Sequence, residues 1–180
     1  PYGPLLVWDV ATGRVRRSLE ANKGFLDTLQ LGSDGRTLFT SGGDKTVRVW
    51  DLATGEQRRR IAVERCPYSG ANRWLVVTPD GKTLAVMDAD KVIRMLDPVT
   101  GVERQHFRGP DRLLGMGLTA DGRSLVAWSG DLKVRVWDTA SGRKLREYSL
   151  PRAGYKFGPR TSNADYNAAL SPDGRLLAMG

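Results

Sequence analysis

Short runs of alternating apolar and polar residues, separated by turn-forming residues, dominate the chain. Residues 28–31, 36–40, 46–50 and 58–61 are four such runs, and Asp34-Gly35, Gly43-Asp44 and Thr54-Gly55 lie between them. Runs of this length are typical of strands, and the intervening pairs are typical of tight hairpins. No window places apolar residues at helical spacing over ten or more positions. The pattern therefore predicts a four-stranded antiparallel meander without crossover helices.

Three sets of markers show that this unit is repeated. A Trp-Asp or Leu-Asp pair begins at residues 8, 50, 96 and 137, in steps of 42, 46 and 41 residues. An Asp-Gly pair begins at residues 34, 80, 121 and 173, and each of the first three precedes the next Trp or Leu by 16 residues. A Thr-Gly or Ser-Gly pair follows each Trp or Leu at one fixed distance. A period of this length has room for four short strands, so we expect about four repeats of the meander.

The most specific stretches are 41–51 and 129–138, and residues 171–174 support them with a Ser-Pro-Asp-Gly turn. The chain resembles the WD-repeat β-propeller family, whose four-stranded blades stack radially around a channel. The resemblance implies an all-β single domain over residues 1–180. The predicted division is a partial blade at 1–20, blades at about 21–62, 63–108 and 109–150, and a partial blade at 151–180. Another all-β meander is the alternative.

The sequence departs from the family pattern at two kinds of position. Many members carry Gly-His ahead of the innermost strand, whereas this chain has Asn22, Tyr68, Gly109 and Thr161 there. The usual His-to-Asp hydrogen-bond network of the family therefore cannot form. Leu96 also stands where the other repeats have Trp8, Trp50 and Trp137, which removes an indole N–H donor.

Two polar residues recur at fixed positions before each Trp or Leu. An Asp lies six residues before it, in the turn joining the second and third strands, at Asp44, Asp90 and Asp131. We expect these carboxylates to accept backbone N–H bonds in their turns rather than to form a metal cluster, because radiating blades keep them apart. An Arg lies two residues before it, at positions 48, 94 and 135, on the same strand face as the Trp or Leu.

The charge of the chain favours acidic partners. The chain has 28 Lys and Arg residues and 20 Asp and Glu residues, which gives a net charge of +8. The outer strands carry much of the positive charge, which either protects exposed edges from aggregation or forms an anion-binding rim. The chain has one Cys and one His. This count excludes internal disulfides and multi-histidine metal sites, and it favours the reducing cytoplasm without establishing the compartment.

No motif predicts an enzyme, and we expect no catalytic residue, metal or cofactor. The resemblance implies instead a scaffold that binds a protein partner, expected to be acidic, through loops on one face. The repeat is interrupted between Pro151 and Tyr166, where basic and aromatic residues alternate. Loops on a rigid scaffold often carry function, so this segment is a candidate binding loop. An insertion without function is an equally favoured alternative. The candidate partner-binding residues are Lys23, Arg65, Tyr68, Arg108, Arg112, Tyr155, Lys156 and Arg160.

Two alternatives concern the partner and the ring. Nucleic acid or another polyanion could bind the basic outer rim, although this is not the favoured interpretation. The chain holds very nearly four repeats, so it is either an excerpt of a larger ring, which we favour, or a ring of four blades closed by its two ends. An open excerpt is expected to self-associate through the flanks of its end blades. The apolar runs are too short to span a membrane.

Overall fold

A computed structural model describes residues 4–20, 26–63, 75–88, 90–151, 168–171 and 173–179. Sixteen β-strands and no helix occur in these ranges. The strands form three antiparallel sheets of four strands and two of two strands. The prediction of an all-β fold built from four-stranded antiparallel blades is confirmed.

The two-stranded sheets lie at the two ends of the described chain. The leading hairpin comprises β1 (Leu5–Asp9) and β2 (Arg14–Leu19). The first blade comprises β3 (Leu26–Leu31), β4 (Thr37–Gly42), β5 (Thr46–Asp51) and β6 (Gln57–Ala62). The second blade comprises β7 (Leu75–Val77), β8 (Leu84–Met87), β9 (Val92–Leu96) and β10 (Glu103–Arg108). The third blade comprises β11 (Leu113–Leu118), β12 (Ser124–Ser129), β13 (Lys133–Asp138) and β14 (Lys144–Ser149). The trailing hairpin comprises β15 (Ala168–Leu170) and β16 (Leu177–Met179).

The first strands of successive sheets are neighbours. Strand β7 contacts both β3 and β11, and β11 contacts β15. The Gln30 side chain joins β3 to β7, because its Nε2 donates to the Val77 carbonyl at 2.8 Å and its Oε1 accepts from the Val77 amide at 3.0 Å. First strands side by side, with the later strands of each sheet further out, are the arrangement of propeller blades.

The Asp-Gly markers form the turns between first and second strands. Asp34 Oδ1 accepts the backbone N–H groups of Arg36 at 2.9 Å and of Thr37 at 2.8 Å. Gly35 adopts a φ of 61°, a conformation that a side chain would disfavour. The Thr37 hydroxyl also donates to Asp34 Oδ2 at 2.7 Å. This bond, followed by the backbone bonds, holds the pKa of Asp34 below its usual value. The sequence predicted the turn because Asp and Gly are the residues that this geometry requires.

The core lies between successive sheets and repeats with them. Each of the marker residues Trp50, Leu96 and Trp137 shares a buried cluster with three apolar positions of the preceding sheet, two on its third strand and one on its fourth. We call these three positions a socket. The sockets are Leu5, Val7 and Leu19 for Trp50; Val47, Val49 and Ile61 for Leu96; and Ile93, Met95 and Phe107 for Trp137. In the last of these, the rings of Phe107 and Trp137 stack with centroids 5.6 Å apart.

Each outer strand contains a bulge beside the marker residue. The pairing shifts by one residue between Val7 and Trp8, and the same shift occurs in all three blades. In the leading hairpin and the first two blades the bulged residue is an Arg that pairs with the Asp after the marker. These pairs are Arg16 with Asp9, Arg58 with Asp51, and Arg104 with Asp97. The third blade has Leu145 at this position, and its side chain is 43% exposed.

A candidate protein-binding groove between the second and third blades

A groove of about 590 Å³ opens between the outer part of the second blade and the face of the third. One wall is the segment 108–112, which links β10 to β11, and the β12–β13 turn at Gly130 and Asp131 adjoins it. Arg135, Trp137 and Lys144 of β13 and β14 line the rest. The groove therefore joins a linker between blades to a turn within a blade, the kind of loop pair that carries binding on a rigid scaffold.

Backbone contacts fix the position of the linking segment. The Gly109 amide donates to the Lys91 carbonyl at 2.8 Å, and the Gly130 amide donates to the Arg112 carbonyl at 2.8 Å. A Cβ on Gly109 would lie 3.0 Å from the Ile93 side chain and 3.3 Å from the Lys91 carbonyl oxygen. Gly109 stands where many members of the family have Gly-His, and its lack of a side chain lets the linker approach β9 closely.

A network of charges holds the β13–β14 wall. Glu147 accepts from Arg135 Nε at 3.0 Å and from Lys144 Nζ at 2.7 Å, and Lys133 Nζ binds its other oxygen. Hydrogen bonds from Lys133 and Lys144, followed by that from Arg135, lower the pKa of Glu147 to about 2. Arg135 also binds Asp131. Burial raises the pKa of this carboxyl, but the hydrogen bonds from Arg135 and Ser129 together hold it below its usual value. The wall stays charged and fixed in geometry at neutral pH.

The linker wall carries cations that are less engaged. Asp111 binds Lys91 Nζ at 2.8 Å, and Arg108 reaches the same carboxylate oxygen only at 3.5 Å. Within the described ranges Arg112 forms no ion pair, and its guanidinium lies against Gly130, where an added Cβ would be 3.2 Å from Arg112 Cζ. Four cations and two carboxylates line the groove as a whole. The excess of positive charge at a concave surface favours an acidic group.

The structure places two of the predicted partner-binding residues at this groove, Arg108 and Arg112. The other six lie outside the described residues: Lys23, Arg65, Tyr68, Tyr155, Lys156 and Arg160. Arg135 and Glu147 were not predicted as binding residues, and Lys144 was predicted only as one of the outer-strand charges of the possible anion-binding rim. Period-two alternation, which puts Arg135 on the face of Trp137, was the available signal for the first of them.

The predicted marker residues occupy different surroundings. Trp50, Leu96 and Trp137 are 4–5% exposed, whereas Trp8 in the leading hairpin is 56% exposed. Trp50 Nε1 donates to the Thr40 hydroxyl at 3.0 Å, a bond that Leu96 cannot form.

The turn aspartates also differ between blades. Asp44 binds Arg48 at 2.7 Å, and Asp131 binds Arg135. In the second blade Arg94 binds Asp88 at 2.7 Å, and the carboxylate of Asp88 accepts the backbone N–H of Asp90 at 3.0 Å. The partner of the strand arginine thus lies two residues earlier in this blade than in the other two.

Among the described residues no group of three or more His, Cys, Asp or Glu side chains could hold a metal ion. His106, in the outer strand β10, contacts Glu103 through Nδ1 at 2.6 Å and is exposed. No helix in the described part of the chain is long and apolar enough to cross a membrane.

Comparison with known proteins identifies the repeat. The family described as WD domain, G-beta repeat matches residues 13–51, which run from the leading hairpin to the end of β5. Residues 13–51 therefore match one WD repeat. A solved structure described as that of U3-55K is similar in fold, with a TM-score of 0.64 and 20% sequence identity. The alignment covers 76% of this chain and 42% of that chain, so this chain spans less than half the length of its structural neighbour. The search of curated proteins found no match.

WD repeats generally act as non-enzymatic scaffolds for protein–protein interaction. The resemblance to the WD-repeat β-propeller family that the sequence suggested is confirmed.

Proposed function

We propose that this WD-repeat chain is a non-enzymatic scaffold that binds an acidic segment of a protein partner in the groove between the second and third blades. The observation that carries the proposal is the pair Arg108 and Arg112, which edges a concave surface with an excess of positive charge. A carboxylate in the groove can accept charge-assisted hydrogen bonds from these guanidinium groups, whose geometry suits it.

The rigidity of the groove supports this proposal. Glu147 and Asp131 already engage Arg135, so the inner wall cannot collapse onto a ligand. The linker wall is held by backbone hydrogen bonds on both sides. A preorganised site loses less conformational entropy on binding than a mobile loop does. Arg108 and Arg112 can therefore contribute to affinity without a large ordering cost.

An acidic peptide tests the groove directly. The probe is a fluorescein-labelled octapeptide of alternating Glu and Phe, titrated by fluorescence anisotropy against the wild-type chain. The double variant Arg108→Ser/Arg112→Ser removes two charge-assisted contacts and is expected to weaken binding by about tenfold or more. The matched control, Arg14→Ser/Arg60→Ser, removes the same charge from exposed outer strands. Equal loss in both double variants would show that net charge, and not the groove, binds the peptide.

The predicted loop residues form a separate arm of the same proposal. The triple variant Tyr155→Ala, Lys156→Ala and Arg160→Ala changes only residues outside the described ranges. If this loop borders the partner site, the triple variant weakens binding of the octapeptide while the circular-dichroism spectrum stays that of the wild type. Unchanged affinity would remove the loop from the binding face and leave the groove as the site.

Nucleic acid or another polyanion at the basic outer rim is the second candidate. Strands β2 and β6 are exposed along most of their length, and they carry six arginines. Several of these arginines are already engaged: Arg16 and Arg58 bind carboxylates, and Arg59 donates to the Val99 carbonyl at 2.9 Å. This engagement makes the rim the weaker candidate.

Salt dependence distinguishes the two. A polyanion on the rim predicts that the logarithm of the association constant for a DNA duplex falls steeply and linearly with the logarithm of salt concentration. The control variant Arg14→Ser/Arg60→Ser then becomes the one that lowers affinity. Absence of binding to the duplex at low salt would eliminate this candidate.

A further inference from the structure

The internal repeat separates charges that belong to the fold from charges that the fold does not require. In the groove, Arg135 binds Asp131, and at the same repeat position in the first blade Arg48 binds Asp44 at 2.7 Å. An ion pair that recurs in this way is explained by the geometry of a blade. Cations that line the groove but do not recur have no such explanation.

Three of the four cations in the groove lining occur in the third repeat alone when the first and second repeats are aligned with it on their marker residues. The corresponding residues of those two repeats are Ala21 and Pro67 for Arg108, Phe25 and Ala71 for Arg112, and Gln57 and Glu103 for Lys144. None of these counterparts is a cation. The fold of a blade therefore does not depend on a positive charge at any of the three positions.

Two of the three cations already face a carboxylate of the protein. Lys144 Nζ binds Glu147 at 2.7 Å, and the Arg108 guanidinium lies 3.5 Å from Asp111. Among the described residues Arg112 has neither a carboxylate partner nor an acceptor for its side-chain N–H donors. Arg112 is therefore the cation of the groove that is neither repeated nor neutralised.

Gly130 determines where the Arg112 side chain lies. The Gly130 amide donates to the Arg112 carbonyl at 2.8 Å. A Cβ at residue 130 would lie 3.2 Å from both Cζ and Nε of Arg112, and the three atoms nearest to it all belong to that side chain. These separations are shorter than an optimal contact between carbon atoms, so a side chain at residue 130 would displace the guanidinium.

The backbone gives no other reason for a glycine at this position. Gly130 is not among the residues with positive φ, so its conformation is open to other amino acids. The second repeat has Ala89 at the same position, so the repeat pattern does not demand a glycine either. The feature of the structure that requires a small residue at position 130 is the approach of Arg112.

We propose that Arg112, positioned by Gly130, is the primary anchor for a carboxylate of the bound acidic segment, and that Arg108 contributes less. This inference rests on the proposed function, because it assigns unequal roles to residues of the same groove. A guanidinium binds a carboxylate most strongly when its planar set of donors is held in one geometry. Arg108 is shared with Asp111, so a ligand carboxylate has to compete there. Gly130 is a positioning residue that acts through Arg112.

Single substitutions test the ranking of the two arginines. Fluorescence anisotropy with the octapeptide of alternating Glu and Phe measures the dissociation constant of each variant. Arg112→Ser is expected to weaken binding by about tenfold, and Arg108→Ser by about threefold or less. A loss in Arg108→Ser that equals or exceeds the loss in Arg112→Ser overturns the ranking.

Substitutions of Gly130 test the positioning without removing a charge. Gly130→Ala moves the guanidinium by a few tenths of an ångström and is expected to weaken binding by about twofold, whereas the larger side chain of Gly130→Leu is expected to cost about tenfold. Gly43→Leu, in the equivalent turn of the first blade, is the matched control and should leave the affinity unchanged. Circular dichroism verifies that each variant is folded. Wild-type affinity in Gly130→Leu overturns the positioning role.

A double-mutant cycle separates positioning from a general disturbance of the turn. If Gly130→Leu acts through Arg112, it should change the affinity by less than about twofold in the Arg112→Ser background. A disturbance of the groove as a whole would lower the affinity in both backgrounds. Losses that multiply to about a hundredfold in the double variant therefore contradict the inference.

A measurement without ligand distinguishes this inference from the proposed function. The Nε–H signal of Arg112, identified by its loss in Arg112→Ser, reports the order of the guanidinium through its ¹⁵N heteronuclear Overhauser effect. We expect this group to be more ordered than that of the exposed Arg143 in the wild type, and equally mobile in Gly130→Leu. A wild-type Arg112 as mobile as Arg143 overturns the positioning by Gly130. An ordered Arg112 in a chain that does not bind the octapeptide refutes the proposed function and the anchor role with it.

Discussion

Trp137 and Trp8 occupy the same repeat position, but we expect them to contribute unequally to the free energy of unfolding. Trp137 is 4% exposed and stacks on Phe107, whereas Trp8 is 56% exposed. A buried Trp removes about 150–250 Å² from water, which corresponds to about 4–6 kcal/mol at about 25 cal/mol per Å². Substitutions of buried Phe or Trp by Ala cost about 3–5 kcal/mol. We expect Trp137→Ala to lower the free energy of unfolding by that amount.

Less than half of Trp8 is shielded, so the same scale gives about 2–3 kcal/mol for Trp8→Ala. Urea unfolding, followed by circular dichroism at concentrations where the chain is monomeric, measures both values. With a slope of about 2 kcal/mol per M, Trp137→Ala should lower the midpoint by about 2 M. Equal destabilisation by the two substitutions would refute the inference that burial between blades, rather than the repeat position itself, makes the marker residue stabilising.

Three further predictions concern single residues. Gly115→Ala should cost about 1–3 kcal/mol in urea unfolding, because its Cβ would lie 2.3 Å from the Trp128 ring. Trp50→Phe and Trp128→Phe both remove buried ring area, but Trp50→Phe should cost about 1 kcal/mol more, because it also loses the bond to Thr40, whereas Trp128 Nε1 is buried without a partner in the described structure. The pKa of Glu147, lowered from 4.5 to about 2, means that its stabilisation is present above pH 4.5 and is lost as the pH falls towards 2. The stability difference between wild type and Glu147→Gln should therefore shrink over that interval, and a constant difference would contradict it.

The strands and turns were predictable because they depend on local chemistry. An Asp in the turn binds the backbone two or three residues further on, and a Gly accepts positive φ, whatever surrounds them. Asp34-Gly35 therefore forms its turn within four residues of sequence. Alternation at period two likewise predicted which residues of β5 share a face.

Contacts between sheets were not predictable in the same way. The bond from Arg17 to the Leu52 carbonyl joins residues 35 positions apart. The ion-pair partner of Arg94 was not predictable either, because Asp88 and Asp90 lie close together in sequence. Only the structure shows that Arg94 binds Asp88. Of the predicted binding residues, Arg108 ends β10 and Arg112 directly precedes β11. The groove that both line opens between the second and third blades, and it depends on how those two blades pack.

The amino-acid sequence alone determined the repeat, the strand order within each blade and the turn chemistry, because each involves residues close together along the chain. The tertiary structure decided which marker residues are buried, which cations remain available, and where grooves open between blades. These properties depend on the distance and angle between sheets, to which many weak contacts contribute jointly. Trp8 and Trp137 are the same residue in the same local pattern, and only the neighbouring sheet makes one a core residue and the other a surface residue.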